Sequence, residues 1–222
     1  MAMLDRIHGG YVHRRRTSVL SEMIALLLPQ NARVLDVGCG DGLLSRIISE
    51  KRTDVAIEGI DVLLRPATHI PVRQFDGTQL PYADASFDAV IFVDVLHHTD
   101  DPEVLIREAA RVSRNVVVMK DHLRDGLLAG PTLRFMDGVG NARHGVSIPA
   151  NYWPEKRWRE TFARLGLNAS FWTEDVPLYP FWASWLFGRS LHFVASLTKA
   201  QPPINQVRVP DVGAPLGIPQ NL

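Results

Sequence analysis

Residues 34–44 read VLDVGCGDGLL. An apolar run meets one acid, Asp36, and glycine then falls at alternate positions, Gly38, Gly40 and Gly42. The run suits a buried strand, and Leu43, Leu44, Ile47 and Ile48 share one face of a following helix. The glycines between them let a ligand approach the backbone closely, and amides at a helix start favour an anionic group. Such a turn is shared by several cofactor sites, so the rest of the chain must decide between them.

Downstream, apolar strands alternate with helices. Residues 17–28 (TSVLSEMIALLL) read as a helix stopped by Pro29, residues 33–37 as a strand and residues 42–50 as a helix. Further strands are expected at 55–60, ending at Asp61, at 72–75, ending at Asp76, at 88–93 (DAVIFV) and at 115–119 (NVVVM). Asp100-Asp101-Pro102-Glu103 supplies a cap, a first-turn proline and a first-turn acid for a helix to about Val112. Strands that are apolar throughout and alternate with helices indicate a parallel sheet covered on both faces.

From 121 to 152 the pattern gives way to glycines and short apolar pieces, which reads as a lid insertion over about 123–152. Pro154 opens a helix carrying Trp158, Phe162 and Leu165 on one face and closed by Gly166. Residues 168–174 and 191–198 read as two last strands that pair with each other. The expected organisation is one domain over 1–200 and a proline-rich extended tail over 201–222.

Formal net charge is zero, so no global field favours nucleic acid or an anionic membrane. Arg14-Arg15-Arg16 reads as the solvated start of a helix. The lone cysteine, Cys39, forms no internal disulfide and reads as a small packing residue. The N-terminal residues hold no apolar core of signal-peptide length, and no stretch approaches the roughly 20 apolar residues of a membrane span. These features lead to the expectation of a cytoplasmic protein.

Two details bear on the cofactor. The dinucleotide fingerprint wants glycine at its sixth position, where this chain has Leu43. Asp36 would lie near a pyrophosphate and repel it. A cofactor bearing an ammonium and a sulfonium accepts that carboxylate, and S-adenosylmethionine carries both. Asp61 ends the second strand about twenty residues beyond the loop, where an acid can bond both ribose hydroxyls. Asp76, before Gly77, adds an acceptor where an adenine amino group could lie.

The stretches VLDVGCGDG (34–42), IEGIDV (57–62), QFDGTQLPYADASFDAVIFVDVLHH (74–98) and ARVSRNVVVMKDH (110–122) resemble the class I S-adenosylmethionine-dependent methyltransferases, in particular the branch of the quinone-biosynthesis and natural-product O- and C-methyltransferases. The resemblance implies a Rossmann-like α/β fold: a doubly wound seven-stranded sheet, mostly parallel with one reversed strand, and helices on both faces. It puts Asp36, Gly38 and Gly40 by the methionine part of the cofactor, Asp61 on the ribose, Asp76 and Gly77 near adenine, and Asp94 beside the methionine end.

Candidates for the methyl-transfer chemistry are His97 and His98 after the fourth strand and Asp121 and His122 after the fifth, paired as His98–Asp121 or His97–His122. His144 is a further candidate in the lid. The aromatic stretch 171–193 suits either an apolar acceptor pocket or contact with a membrane interface. The expected function is O- or C-methylation of a small apolar or aromatic acceptor. A nicotinamide-dependent oxidoreductase and a non-catalytic cofactor-binding subunit are the alternatives. The chain has no Asn/Asp-Pro-Pro-aromatic signature after strand four and no Pro-Cys nucleophile, so nucleic-acid methylation of those types is not expected.

Overall fold

The computed structural model describes residues 2–141, 151–179 and 190–200. Its elements are α1 (Ala2–Leu27), β1 (Arg33–Val37), α2 (Leu43–Lys51), β2 (Ala56–Asp61), β3 (Val72–Gln74), β4 (Phe87–Val93), a 3₁₀ turn (Leu96–His98), α3 (Pro102–Val112), β5 (Ser113–His122), α4 (Ala129–Asn141), α5 (Glu155–Arg164), β6 (Leu167–Thr173) and β7 (His192–Lys199). The seven strands form one sheet in the order β3-β2-β1-β4-β5-β7-β6. β1 to β5 pair in parallel, and β7 alone is reversed, antiparallel to both β5 and β6.

Alternation along each strand builds two cores. Leu35, Val37, Val90, Phe92, Val117 and Met119 face α3 and α5, where Leu105, Ile106, Ala109, Trp158 and Phe162 close over them. Val34, Ala89, Ile91, Val116 and Val118 face the other way, under Leu20 and Ile24 of α1, Leu28 just beyond it and Ile48 of α2. A period of two on strands with both faces covered leaves no polar position between the apolar ones, which is why these segments read as continuous apolar runs. Asp101 caps α3, its carboxylate accepting from the Glu103 amide at 3.0 Å.

Two expectations change. The first helix begins far earlier than residue 17, at Ala2. The stretch expected to be irregular contains helix α4, despite Gly130 and Pro131 in its first turn. Leu133 of α4 is buried with Ala129, Tyr152 and Leu191 in a small separate cluster, so tertiary contacts hold what local propensity disfavours. His144, residues 180–189 of the aromatic stretch and the tail 201–222 lie outside the described residues.

Candidate active site

The strand order reverses between β1 and its neighbours β2 and β4, and ligands of doubly wound sheets bind beyond the carboxyl ends of the strands at such a point. The acids of the sequence reading arrive there on successive strand ends. The turn after β1 is left-handed at Gly38 (φ 74°) and Gly40 (φ 60°), which L side chains rarely tolerate. A Cβ on Gly38 would come within 2.6 Å of Val95, so glycine also lets this turn pack against the segment after β4. At Gly40 a Cβ would meet nothing within 4 Å, and the space over the turn is open.

The loop amides are not available as expected. Gly38 donates to the Ile60 carbonyl at 2.7 Å, Gly42 to the Cys39 carbonyl at 2.9 Å and Gly40 to Asp61 Oδ2 at 2.8 Å. The turn therefore offers shape and nearby carboxylates to a ligand rather than these N–H groups. Asp61 also accepts from the Leu63 amide at 2.9 Å, so it braces the glycine turn as well as ending β2. Asp76 is exposed and caps its own turn, its Oδ1 accepting from the Thr78 and Gln79 amides at 2.7 and 2.9 Å. Those bonds lower its affinity for a proton. Gly77 follows in the left-handed region at φ 84°. Cys39 packs against Gly59, where a Cβ would lie 2.4 Å from its Sγ, and burial pushes the thiol well above its usual range. It is a packing residue.

Asp36 is 3% exposed and accepts a 2.6 Å hydrogen bond from Ser45 Oγ. Burial, opposed by Ser45 and reinforced by the nearby charge of Asp61, pushes its carboxyl up to about 7. The folded protein thus holds a proton that the unfolded chain releases near 3.8, so stability falls as pH rises through the window between those values. A cationic ligand prefers the ionised form. Affinity for a sulfonium and ammonium cofactor should therefore rise with pH, by up to about tenfold per unit below pH 7, and then level off. Calorimetry between about pH 5.5 and 8.5 checks this: the slope should vanish in Asp36→Asn, and a flat wild-type profile would refute it.

Beyond β4 and β5 lies a buried polar cluster. Asp94 adopts a left-handed conformation (φ 58°) that asparagine and aspartate tolerate best among residues with a Cβ. Its carboxylate is bound by Lys120, which is 0% exposed on β5, and by Arg16 of α1. Burial lowers the affinity of Lys120 for its proton, and Asp94 opposes that loss. Asp94 in turn is held well below the usual carboxylate range: burial raises it, but Arg16, Lys120 and His122 together outweigh that effect. Arg15 donates to the Pro177 carbonyl at 3.1 Å. The second and third arginines of the Arg14–Arg16 run are thus bound inward, against the solvated reading.

On the same edge, Asp121 Oδ1 lies 2.6 Å from His97 Nδ1, and Asp121 Oδ2 accepts from the Leu96 amide at 3.0 Å. Asp121's ring partner is His97, not His98, whose ring lies 3.9 Å from that of His97, centroid to centroid. His122 Nδ1 approaches His97 Nδ1 at 3.3 Å, as the second expected pairing has it. Burial raises the Asp121 carboxyl, but His97 and His122 together outweigh it and hold it well below the usual carboxylate range. Burial, with Lys120 and His97, pushes His122 down to about 4, so it is neutral at pH 7. Tyr152 stacks on His97 with centroids 5.5 Å apart. Sequence reasoning missed Arg16, Lys120, Tyr152 and His192.

His97, Asp121 and His122 place three ligand-type atoms within 4.8 Å of one another. Two cations, Arg16 and Lys120, already balance two carboxylates, Asp94 and Asp121. A divalent ion would add two uncompensated charges to a buried site, which is strongly unfavourable.

An open glycine turn, a buried acid beside it and one acid on each neighbouring strand end define a doubly wound site for a cationic nucleoside cofactor. A family profile described as a methyltransferase domain matches residues 11–170. The chain belongs to this family, the class I S-adenosylmethionine-dependent methyltransferases of the quinone-biosynthesis-like branch, and its cofactor is S-adenosylmethionine. It is 33% identical over 131 residues to the 27-O-demethylrifamycin SV methyltransferase of Amycolatopsis mediterranei, covering 50% of this chain and 48% of that one. It is 33% identical over 128 residues to the phosphatidylethanolamine N-methyltransferase of Cereibacter sphaeroides, covering 50% and 59%. The chain thus spans about half the length of these curated relatives. Among solved structures, the methyltransferase bound to the Trm112 activator of Haloferax volcanii matches the fold with a TM-score of 0.63 at 16% identity, over 89% of this chain and 95% of that one. Among the described residues no helix is long and apolar enough to cross a membrane.

The residues present fit the cofactor: Asp36 and Asp61 place two carboxyl groups beside an open turn. Replacing Asp61 by alanine should weaken S-adenosylmethionine binding by about 1.5–3 kcal/mol for each charged hydrogen bond lost. The glycine turn it braces should also loosen. Unchanged affinity in a folded Asp61→Ala protein, measured by calorimetry, would remove Asp61 from the ribose.

Proposed function

We propose that the protein methylates a hydroxyl of a small apolar or aromatic acceptor, with His97 and His122, backed by Asp121, taking the hydroxyl proton. The observation that carries this reading is the 2.6 Å His97–Asp121 contact, buried beside His122 at the carboxyl ends of β4 and β5. When bound, the cofactor supplies an electrophilic methyl group. The chain's own work is to align the acceptor, exclude water and receive a proton. Asp121 fixes the orientation of the His97 ring through Nδ1, and His122, neutral at pH 7, lies against that ring at 3.3 Å. Similarity to the 27-O-demethylrifamycin SV methyltransferase supports an oxygen acceptor, and the cofactor residues Asp36, Gly38, Gly40, Asp61, Asp76, Gly77 and Asp94 keep the roles expected from the sequence.

Incubating the full chain with methyl-labelled S-adenosylmethionine and pooled small-molecule extract, then finding the labelled product by mass, tests the reading. A product labelled on oxygen supports it. Cofactor binding without any labelled small molecule favours a non-catalytic subunit, and labelling on nitrogen overturns the acceptor class.

A further inference from the structure

Helix α4 carries apolar side chains on two sides. Ala129, Leu133 and Met136, spaced i, i+4 and i+7, turn inward onto Tyr152 and Leu191. The opposite side is uncovered. Leu127 is 89% exposed, Leu128 61% and Phe135 62%, with exposed Pro131 one turn before Phe135. Lone exposed apolar residues are ordinary, but side chains of this size gathered over 127–135 form a patch. Leu128 carries a second cost. Its backbone is left-handed at φ 66°, a region a leucine rarely occupies, and its carbonyl opens the helix by accepting from the Thr132 amide at 3.0 Å. The fold thus strains a residue and leaves apolar surface in water at the same place, and strain of this kind points to a use.

We propose that α4 and the turn before it are a docking surface for an anionic lipid bilayer, lying in its interface with Leu127, Leu128 and Phe135 inserted. This inference is independent of the acceptor's identity. Side chains that project this far touch little of their own protein. A rigid partner would need a matching pocket for each, whereas the acyl boundary of a bilayer takes them without one. Arg124 and Arg134 flank the patch and are exposed. Among the described residues no carboxylate pairs with either guanidinium. The described acid between them, Asp125, is turned to α5, where its Oδ2 accepts from the Glu155 amide at 2.7 Å. A guanidinium at headgroup level bonds a lipid phosphate through two N–H groups. The chain as a whole has no net charge, so the attraction is local to this arginine pair. No described helix is long and apolar enough to cross a bilayer, so α4 lies on the surface. Leu133 clusters with Tyr152, and Tyr152 stacks on His97, so docking sets the β4–β5 end of the site beside the lipid.

The test is co-flotation of the full chain with vesicles of equal parts phosphatidylglycerol and phosphatidylcholine, against vesicles of phosphatidylcholine alone. Binding to the anionic vesicles is expected to be at least about tenfold tighter, and to weaken as salt rises. Arg124→Gln and Arg134→Gln should each weaken it about fivefold. The triple variant Leu127→Gln/Leu128→Asn/Phe135→Gln should abolish it and leave S-adenosylhomocysteine affinity and melting temperature unchanged, since asparagine suits the left-handed backbone. No flotation of the wild type, equal binding to the two vesicles, or undiminished binding of the triple variant would each overturn the proposal. Self-association without vesicles, lost in the triple variant and seen by sedimentation while nothing floats, would also overturn it and assign the face to a second copy. If the triple variant does not fold, hydrogen exchange of the wild type decides: the amides of 127–136 must slow when phosphatidylglycerol vesicles are added, and unchanged exchange refutes the contact.

Discussion

Replacing Asp94 by alanine should destabilise the protein by about 3–5 kcal/mol, because removing one partner of a buried ion pair leaves the other charge uncompensated. Here the stranded groups are Lys120, with no exposed surface, and Arg16. For a chain of this size the loss corresponds to a fall in melting temperature on the order of 10 °C. Asp94→Asn should cost less, since an amide still accepts one hydrogen bond and tolerates the left-handed backbone. The decisive comparison is the double variant Asp94→Ala/Lys120→Met: removing the buried cation together with its partner should recover much of the loss. Urea unfolding of the three variants checks this. A single Asp94→Ala variant as stable as the wild type would mean that Lys120 is not held as a cation in the folded state.

Asp121→Asn should lower kcat by roughly 10²–10⁴ while leaving S-adenosylmethionine affinity within a few-fold. The carboxylate holds His97 through Nδ1 and favours its protonated form as the acceptor proton arrives. An amide can orient the ring wrongly and carries no charge to compensate the imidazolium. The prediction separates the two halves of the site, because Asp36, the glycine turn after it and Asp61 belong to β1, its turn and β2, and Asp121 lies near the end of β5. Calorimetry gives the affinity, and labelled-methyl turnover with the acceptor gives the rate. Equal losses in both would show that Asp121 acts through the fold, and an unchanged kcat would remove the dyad from the chemistry.

The central sheet was legible because β1, β2, β4 and β5 are buried on both faces and announce themselves as apolar runs ending in acids or turns. The Asp101–Pro102–Glu103 start of α3 was equally plain, since cap, proline and acid each leave a chemical mark. The long α1 was not. MAMLDRIHGGYVHRRR has two glycines and no steady apolar period, whereas the later turns carry Leu20 and Ile24 into the core. Helix α4 was hidden by its glycines and proline.

The site divides in the same way. Asp36 and Asp61 could be singled out from position, the one just before the glycine turn and the other ending β2, while Asp94 followed from the family resemblance. Lys120 could not, since its burial depends on Asp94, twenty-six positions earlier in the chain. Arg16 was misread for a related reason: in sequence it is one of three arginines, and only the packing of α1 on the sheet turns it towards Asp94. The His97–Asp121 partnership, as against His98–Asp121, is decided by the 3₁₀ turn over Leu96–His98, which buries one ring and leaves the next half-buried.

The packing of Cys39 against Gly59 has a practical consequence for watching this protein move. The chain's single thiol is kept protonated and half-hidden, so maleimide and nitroxide reagents should ignore it in the folded state. Phe135 on α4 is 62% exposed. A cysteine placed there would be the one reactive thiol, with no need to remove the native sulfur from the glycine turn. A spin label at that position could then report whether α4 shifts as cofactor and acceptor bind.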